Sequence, residues 1–538
     1  MPFSVNIVHI LTNNYYYPIF LFLVSIIFTF ALRGFQFSRF AQMARCFFLD
    51  LKSTTKSSKK TKSVSSFAAV MTSLATRMGG GNIVGIALGL AVGGPGILVW
   101  MWIFGAVCVG IGFGESVLSQ VYKRKDPEEQ NMYVGGTAYY IRYGLGRSWA
   151  WLAIFFAFLS FFSKGFIIFS TNISALFYDI SLAVSNGSKV DIGSAKWIIS
   201  GVFAIFTAIC VWIWGLKGVI KLSSKVAPLF ILLYLSIAVV VILVYITSLP
   251  AIFGAIFGSA FSVKAFTGAG LFLAFRTGAI RGIYSNEAGQ GSGTSAAATA
   301  DVDHPAKQGF AQAFGIFFDT IFFCTAGGLL FLIILYVNNG YDFSNFWHSA
   351  PGGDSYTIDL GRYSSDPEAS NHLGELITWL TGGSLFGAPG SVGFIIGTIF
   401  FSIILFYFIF NSTLGGVLIA EFNLLFMCRG LKNEKHRWWI VLCYRVIVPL
   451  LCICAPLVVQ IGASSGGTWS IFDISDFMVM LCFITNVFVL CLLMPVIVKT
   501  YKDFGNQIKL NKKNLRSKYY YNPKTLKIKN YQAATEWL

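Results

Sequence analysis

Long apolar stretches separated by short polar or basic segments set the pattern of this chain from end to end. A helix needs about 20 mostly apolar residues to cross a bilayer, because lipid cannot satisfy backbone N–H and C=O groups. That requirement predicts eleven spans, at residues 17–33, 66–92, 96–121, 149–178, 195–215, 226–248, 267–300, 309–337, 390–427, 438–461 and 473–498. The second, seventh and ninth are overlong, and the second and seventh are rich in glycine.

Composition points the same way. Hydrophobic residues make up 55% of 538 residues, charged residues only 12%, and the mean hydropathy is +0.68. No soluble fold of that size hides so much apolar surface. The chain reads as an all-α polytopic membrane protein.

Charge supplies an orientation. With 34–66 placed in the cytoplasm, the segments 122–148, 216–225, 301–308, 428–437 and 499–538 follow it there, and together they carry +21. The opposite segments carry −5, all of that net charge matched by 338–389 alone. Lysine and arginine collect on the cytoplasmic side, so the alternation predicts an external N-terminus and a cytoplasmic C-terminus. The net charge of +17 then belongs at anionic lipid headgroups, with no need of nucleic acid. The tail 501–538, with its lysines and alternating tyrosines, is expected to be solvated or to touch lipid. Segment 17–33 lacks a basic n-region and a small-residue cleavage site, so it is kept as a mature span.

Several chemistries are excluded. Gly-Lys occurs nowhere, so there is no Walker A loop, and the five histidines form no HExxH. Gln290-Gly-Ser292-Gly matches no serine nucleophile elbow, which argues against an enzyme. The cysteines show no exported disulfide framework.

Two spans are poor continuous helices. The first contains Gly79-Gly80-Gly81-Asn82, and each glycine costs about 1 kcal/mol relative to alanine within a helix. The second contains Ser285-Asn286-Glu287-Ala-Gly289-Gln-Gly291-Ser292. They stand first and sixth of the ten helices counted from the first, at matching positions of two five-helix halves. Secondary transporters hold substrate where such helices unwind. The amides of Gly79, Gly80, Gly81 and Asn82, at a half-helix N-terminus, suit a carboxylate. Oxygens near Ser285 and Asn286 suit an ammonium group. Packing through small residues is the alternative explanation of each stretch, and a weaker one for both together.

At these residues the chain resembles the sodium:alanine symporter family, the alanine or glycine:cation symporters. The family pattern GTGNIxGVA followed by GGPGAxFWMW stands here as Gly79-Gly-Gly-Asn82-Ile-Val-Gly-Ile-Ala87 and Gly93-Gly-Pro-Gly-Ile-Leu-Val-Trp-Met-Trp102. The pattern RGLFSNEAGxGS with HPxxQG stands as Arg281 to Ser292 and His304 to Gly309. GGxxYYIxxGLG stands as Gly135 to Gly146. The resemblance runs from about residue 30 to 500. It implies the leucine-transporter fold, five plus five helices in inverted repeat (66–248 and 267–461) with one extra N-terminal helix. It also implies a sodium ion, and no other cofactor. Carried over by position, its ligands are the carbonyls of Ala75, Met78 and Phe408, the Asn411 amide oxygen and the Ser412 hydroxyl. Ordinary interhelical hydrogen bonding explains Asn411 and Ser412 equally simply.

Three departures fall at expected pocket positions. The family's hydroxyl residue is Gly80, its Gln-x-Asn is Ser170-Thr-Asn172, and its Trp in the ninth span is Gly416. The cavity is therefore expected to be larger and less polar. Charges inside the membrane are functional candidates. Arg77, Arg281 and Glu287 belong to the signatures, with Arg281 and Glu287 read as a structural or gating pair. Lys164 lies mid-span, either to accept an acidic substrate or substitute for a cation, or to snorkel or pair with Glu115 or Asp319. The leading function is sodium-coupled symport of a neutral amino acid by alternating access in the cell membrane, expected to be a bacterial inner membrane. A proton-driven or uncoupled transporter of the same fold is the alternative, and a membrane enzyme or sensor the third.

Overall fold

The structure, a computed structural model, describes residues 16–48, 64–125, 133–163, 195–261, 270–338, 391–430, 435–436, 439–447, 471–511, 514–515 and 518–537. These are helical almost throughout, with one two-residue hairpin, β1 (Arg124–Lys125) against β2 (Tyr133–Val134).

Helix α1 (Tyr16–Ala31) is followed by the amphipathic α2 (Phe40–Phe48). The first glycine-rich span is divided into α3 (Ser66–Arg77) and α4 (Gly80–Gly93). Ser65 caps α3, its hydroxyl accepting from the Ala68 amide at 3.2 Å. Helix α5 (Ile97–Val121) is the buried centre of the bundle. Its glycines let neighbours close in: a Cβ on Gly112 would stand 2.0 Å from Ile316, and one on Gly110 would stand 3.3 Å from Phe28 of α1.

Beyond the hairpin come α6 (Ala150–Ser163), α7 (Ala195–Val244) and α8 (Leu249–Phe261). The second glycine-rich span is divided into α9 (Gly270–Asn286) and α10 (Gly293–Thr299). Next, α11 (Pro305–Phe317) leads through a π-helical turn, Phe318–Phe323, into α12 (Cys324–Asn338). Helices α13 (Val392–Met427), α14 (Ile471–Leu492) and α15 (Met494–Leu510) are the last long helices described.

Among the described residues, Ile97–Val121, Gly218–Val244, Pro305–Val337 and Ile395–Met427 are long and apolar enough to cross a membrane. Phe477–Leu492 with Met494–Leu510, bent by 62°, makes a fifth candidate. Large apolar side chains such as Phe30, Leu229, Leu243 and Ile396 point outward and exposed, as lipid contact requires.

Three local expectations change. Residues 216–225 continue α7 instead of forming a loop: the segment holds no proline, and Lys221 and Lys225 lie one turn apart on its exposed side. The last span ends at Leu493, because Pro495 starts α15 afresh. The tail is not merely solvated. Tyr519, Tyr521, Ile528 and Ala534 are buried, and the alternating aromatics that suggested a lipid-touching extension pack on the helical body.

Candidate functional site

The first break is short. Met78 leaves the helix at ψ 67°, and Gly79 is extended as the N-cap of α4. The Gly79 amide donates to the Arg77 carbonyl at 2.8 Å and the Asn82 amide to the Gly79 carbonyl at 3.0 Å. The helical partners of the Ala75 and Met78 carbonyls are thereby diverted, and both oxygens leave the ladder. Gly80 and Gly81 occupy the first turn of α4, where amides point along the positive end of the helix dipole.

The second break is longer, from Glu287 to Ser292. Three residues there have positive φ: Glu287 at 50°, Gly289 at 92° and Gly291 at 79°. A Cβ on Gly289 would stand 2.4 Å from the Phe483 ring, and one on Gly291 2.3 Å from the Thr137 hydroxyl. Both conformation and space demand glycine.

Two buried carboxylates organise the breaks. Asp319, in the π-helical turn, accepts from Asn82 Nδ2 and from Ser285 Oγ, each at 2.8 Å. It is fully buried and bridges the two broken helices. Glu115 of α5 accepts the Gly289 amide at 3.0 Å and the Gly291 amide at 2.9 Å through one oxygen, satisfying backbone that the unwinding frees. Asn486 of α14 donates to the same oxygen and, at 2.8 Å, to the Gly289 carbonyl. Tyr140 donates to Asn486, and Thr137 approaches Tyr140 at 3.0 Å. The Gly135–Gly146 motif thus braces the second break.

Arg77 ends α3 at the seam between the breaks. A Cβ on Gly293 would stand 2.1 Å from its guanidinium and 2.9 Å from Ser73 Oγ. Among the described residues its Nε and Nη1 have no hydrogen-bond partner, while Glu287, Glu115 and Asp319 surround it electrostatically. Glu287 accepts from Ser292 Oγ. Arg281 lies along α4, its Nη1 3.3 Å from a Cβ on Gly85 and its Cγ 3.1 Å from one on Gly89. Gly93 meets Thr277 in the same way, so Gly85, Gly89 and Gly93 form a stripe on which α9 packs. Small-residue packing therefore accounts for part of the glycine content, and unwinding for the rest.

Helix α13 closes on the first break from another side. Ser412 Oγ donates to the Thr76 carbonyl at 3.1 Å, and a Cβ on Gly415 would stand 2.4 Å from Thr76 Oγ1. Asn411 Oδ1 accepts from Ser223 of α7 at 2.8 Å. Phe408 is buried on the same helix against Phe323 and Tyr234. Gly416 is buried one residue beyond Gly415. Lys164 and Ser170 lie outside the described residues.

Asp319 and Glu115, expected only as partners for Lys164, are part of the site. An acid within an apolar span was the available signal for each. Asn486 carried no such signal.

Comparison with known proteins gives a family and a fold. The sodium:alanine symporter family profile matches residues 2–351 and 382–518. The chain belongs to that family. Amino-acid carrier protein AlsT of Bacillus subtilis (strain 168) is 34% identical over 448 residues, 83% of this chain and 82% of AlsT. The probable sodium/glutamine symporter GlnT of the same organism is 31% identical over 489 residues, 91% of this chain and 87% of GlnT. Among solved structures, MhsT in complex with L-phenylalanine superposes with a TM-score of 0.51 at 16% identity, covering 89% of this chain and 98% of MhsT. That likeness concerns the fold, the leucine-transporter fold. The symporter family and its relatives are transporters rather than enzymes, and the apolar helices fit multi-pass membrane transport of amino acids.

Proposed function

We propose that this symporter-family member carries a neutral amino acid together with sodium by alternating access across the cell membrane. The observation that carries the reading is Asp319, a buried carboxylate joined through Asn82 and Ser285 to both broken helices. A hard cation needs oxygen ligands, and the Asp319 carboxylate beside the Ser285 hydroxyl is what the junction offers. The seam of Ala75, Met78, Phe408, Asn411 and Ser412 is the second place where a sodium ion is supported, by the diverted carbonyls of α3 and the approach of α13. The amides of Gly80 and Gly81 and the guanidinium of Arg77 favour a substrate carboxylate. The Ser285–Asn286 oxygens remain the proposed ammonium partners.

A five-plus-five repeat, 66–248 and 267–461 after an extra first helix, is the architecture this function calls for, although α7 runs the expected spans 195–215 and 226–248 together. The N-terminus is placed outside, and the tail 501–538 in the cytoplasm. A bacterial inner membrane is the proposed location. Impermeant thiol reagents should then fail to label a cysteine put in place of Lys524 in intact cells. A proton in place of sodium is the second reading, and Asp319 itself favours it, since a buried carboxylate is also a proton site. Uptake of labelled amino acids into proteoliposomes, with sodium against choline at several pH values, separates the two. Uptake indifferent to sodium would overturn the first.

A further inference from the structure

The segment after α15 turns back over one end of the bundle and meets the elements that end both broken helices. Trp537 Nε1 donates to the Gln120 carbonyl at 2.9 Å, and Tyr122 Oη donates to the Lys529 carbonyl at 2.7 Å. Asn530 Nδ2 donates to the Gly144 carbonyl at 2.8 Å, and Arg124 Nη1 to Thr535 Oγ1 at 2.6 Å. The Tyr519 amide donates to Asp303 at 3.2 Å, with the Lys307 ammonium 4.3 Å above the Tyr519 ring. These partners span α5, the hairpin, the stretch after it and the 301–307 connection.

The same partners hold the moving parts. Gln120, whose carbonyl Trp537 binds, sends its Nε2 to the carbonyls of Ala297 and of Ala300, the latter at 3.0 Å, at the end of α10. Lys123 stands 5.1 Å from the Trp537 ring and donates to the Ala300 carbonyl at 2.8 Å. The Asp301 amide donates to the Val64 carbonyl at 2.9 Å, and Ser66 of α3 donates to Gln308. One chain of bonds therefore runs from the C-terminal segment to the outer ends of α10 and α3, the two half-helices that lead to the breaks.

We propose that residues 518–537 form a strap that locks the cytoplasmic ends of α3 and α10 together, and that its release precedes opening of the cytoplasmic side. The side assigned to the strap, and the opening it controls, rest on the transport reading above. The contacts do not. Polar contacts of this kind are individually weak, so a strap held by several is stable when docked yet open to reversal by a competing partner.

The test is hydrogen–deuterium exchange on the full chain in lipid nanodiscs, with no substrate needed. It compares the unmutated protein with a chain ending at Leu510 and with the double variant Trp537→Ala/Tyr122→Phe, which is the fallback if the truncated chain does not fold. Peptides covering 64–77 and 293–301 should exchange about fivefold faster or more in the variants, while those within 101–117 hold steady. Unchanged exchange at 64–77 and 293–301 in whichever variant is monodisperse overturns the proposal. So does exchange of 518–537 in the unmutated protein at the rate of an unfolded chain. If exchange follows the expected pattern but no amino acid is taken up by proteoliposomes, the transport reading fails and the strap stands.

Discussion

Asn82 donates from Nδ2 to Asp319 Oδ1 at 2.8 Å, across 237 positions of sequence, and so ties the first broken helix to the π-helical turn of another. Ser285 holds the other oxygen of that carboxylate, so a change in either break is felt at one charge.

Asp319→Asn preserves the shape of this junction and removes its charge. A charge-assisted contact is worth about 1.5–3 kcal/mol, so the sodium concentration for half-maximal uptake should rise about tenfold to hundredfold. Sodium titrations of uptake in proteoliposomes check this. If the variant keeps the sodium response of the unmutated protein, Asp319 is a structural bridge only.

The α3–α13 seam gives a second, smaller effect. Ser412→Ala and Asn411→Ala each delete one oxygen there, and each should weaken the sodium response by about fivefold, since a single neutral partner contributes about 1 kcal/mol. Asn411 already accepts from Ser223, so Ser223→Ala frees that oxygen and should not impair sodium. A loss in Ser223→Ala equal to that in Asn411→Ala would assign the pair a packing role.

Much of this site was legible before any coordinates. The glycines of 79–81 and 289–291 announced breaks because a helix tolerates them poorly, and the backbone departs from helix at Met78–Gly79 and at Glu287–Ser292. Gly85, Gly89 and Gly93 are equally visible in sequence but serve packing, and only the partners Arg281 and Thr277 distinguish the two uses. Asn486 was out of reach, since its role depends on α14 approaching Glu115 from 371 positions away. The tail misled for a simple reason: lysines beside tyrosines describe a lipid-touching segment and a docked one alike, and the partners that decide it lie far off in sequence, on α5, the hairpin and the 301–307 connection.

His304 makes the docked end sensitive to acid. Its Nδ1 accepts the Ala306 amide at 3.1 Å as the cap of α11, so the ring proton sits on Nε2, 3.1 Å from Asp503. Burial pushes the imidazole below its ordinary 6.5, against the opposing pull of Asp503 and Asp303. Between the folded value and 6.5 the unfolded chain binds the proton and the folded one does not. Stability is thus complete above about 6.5 and declines as pH falls towards the folded value. His304→Asn keeps a capping oxygen and should flatten the decline in melting temperature between about pH 7 and 5. An unchanged slope would place the acid sensitivity elsewhere.

Substrate size follows from Gly416, buried on α13 beside the Gly415–Thr76 contact at the first break. By the resemblance the family has Trp at this place and a hydroxyl residue at Gly80, and glycine at both removes that indole and that hydroxyl. If Gly416 lines the proposed substrate site, alanine leaves the place of the indole unfilled. Each methylene that a longer side chain buries contributes about 0.8 kcal/mol, roughly a fourfold preference per carbon. A neutral amino acid larger than alanine should therefore compete best for uptake in the unmutated protein. Gly416→Trp, alone or with Gly80→Thr, should move the preference back to alanine and glycine by the same factors. A neighbouring aromatic ring turning inward would refill the space and cancel the preference. A panel of unlabelled amino acids competing against one labelled substrate reads the outcome directly: if alanine and glycine inhibit best without any substitution, the pocket is not enlarged.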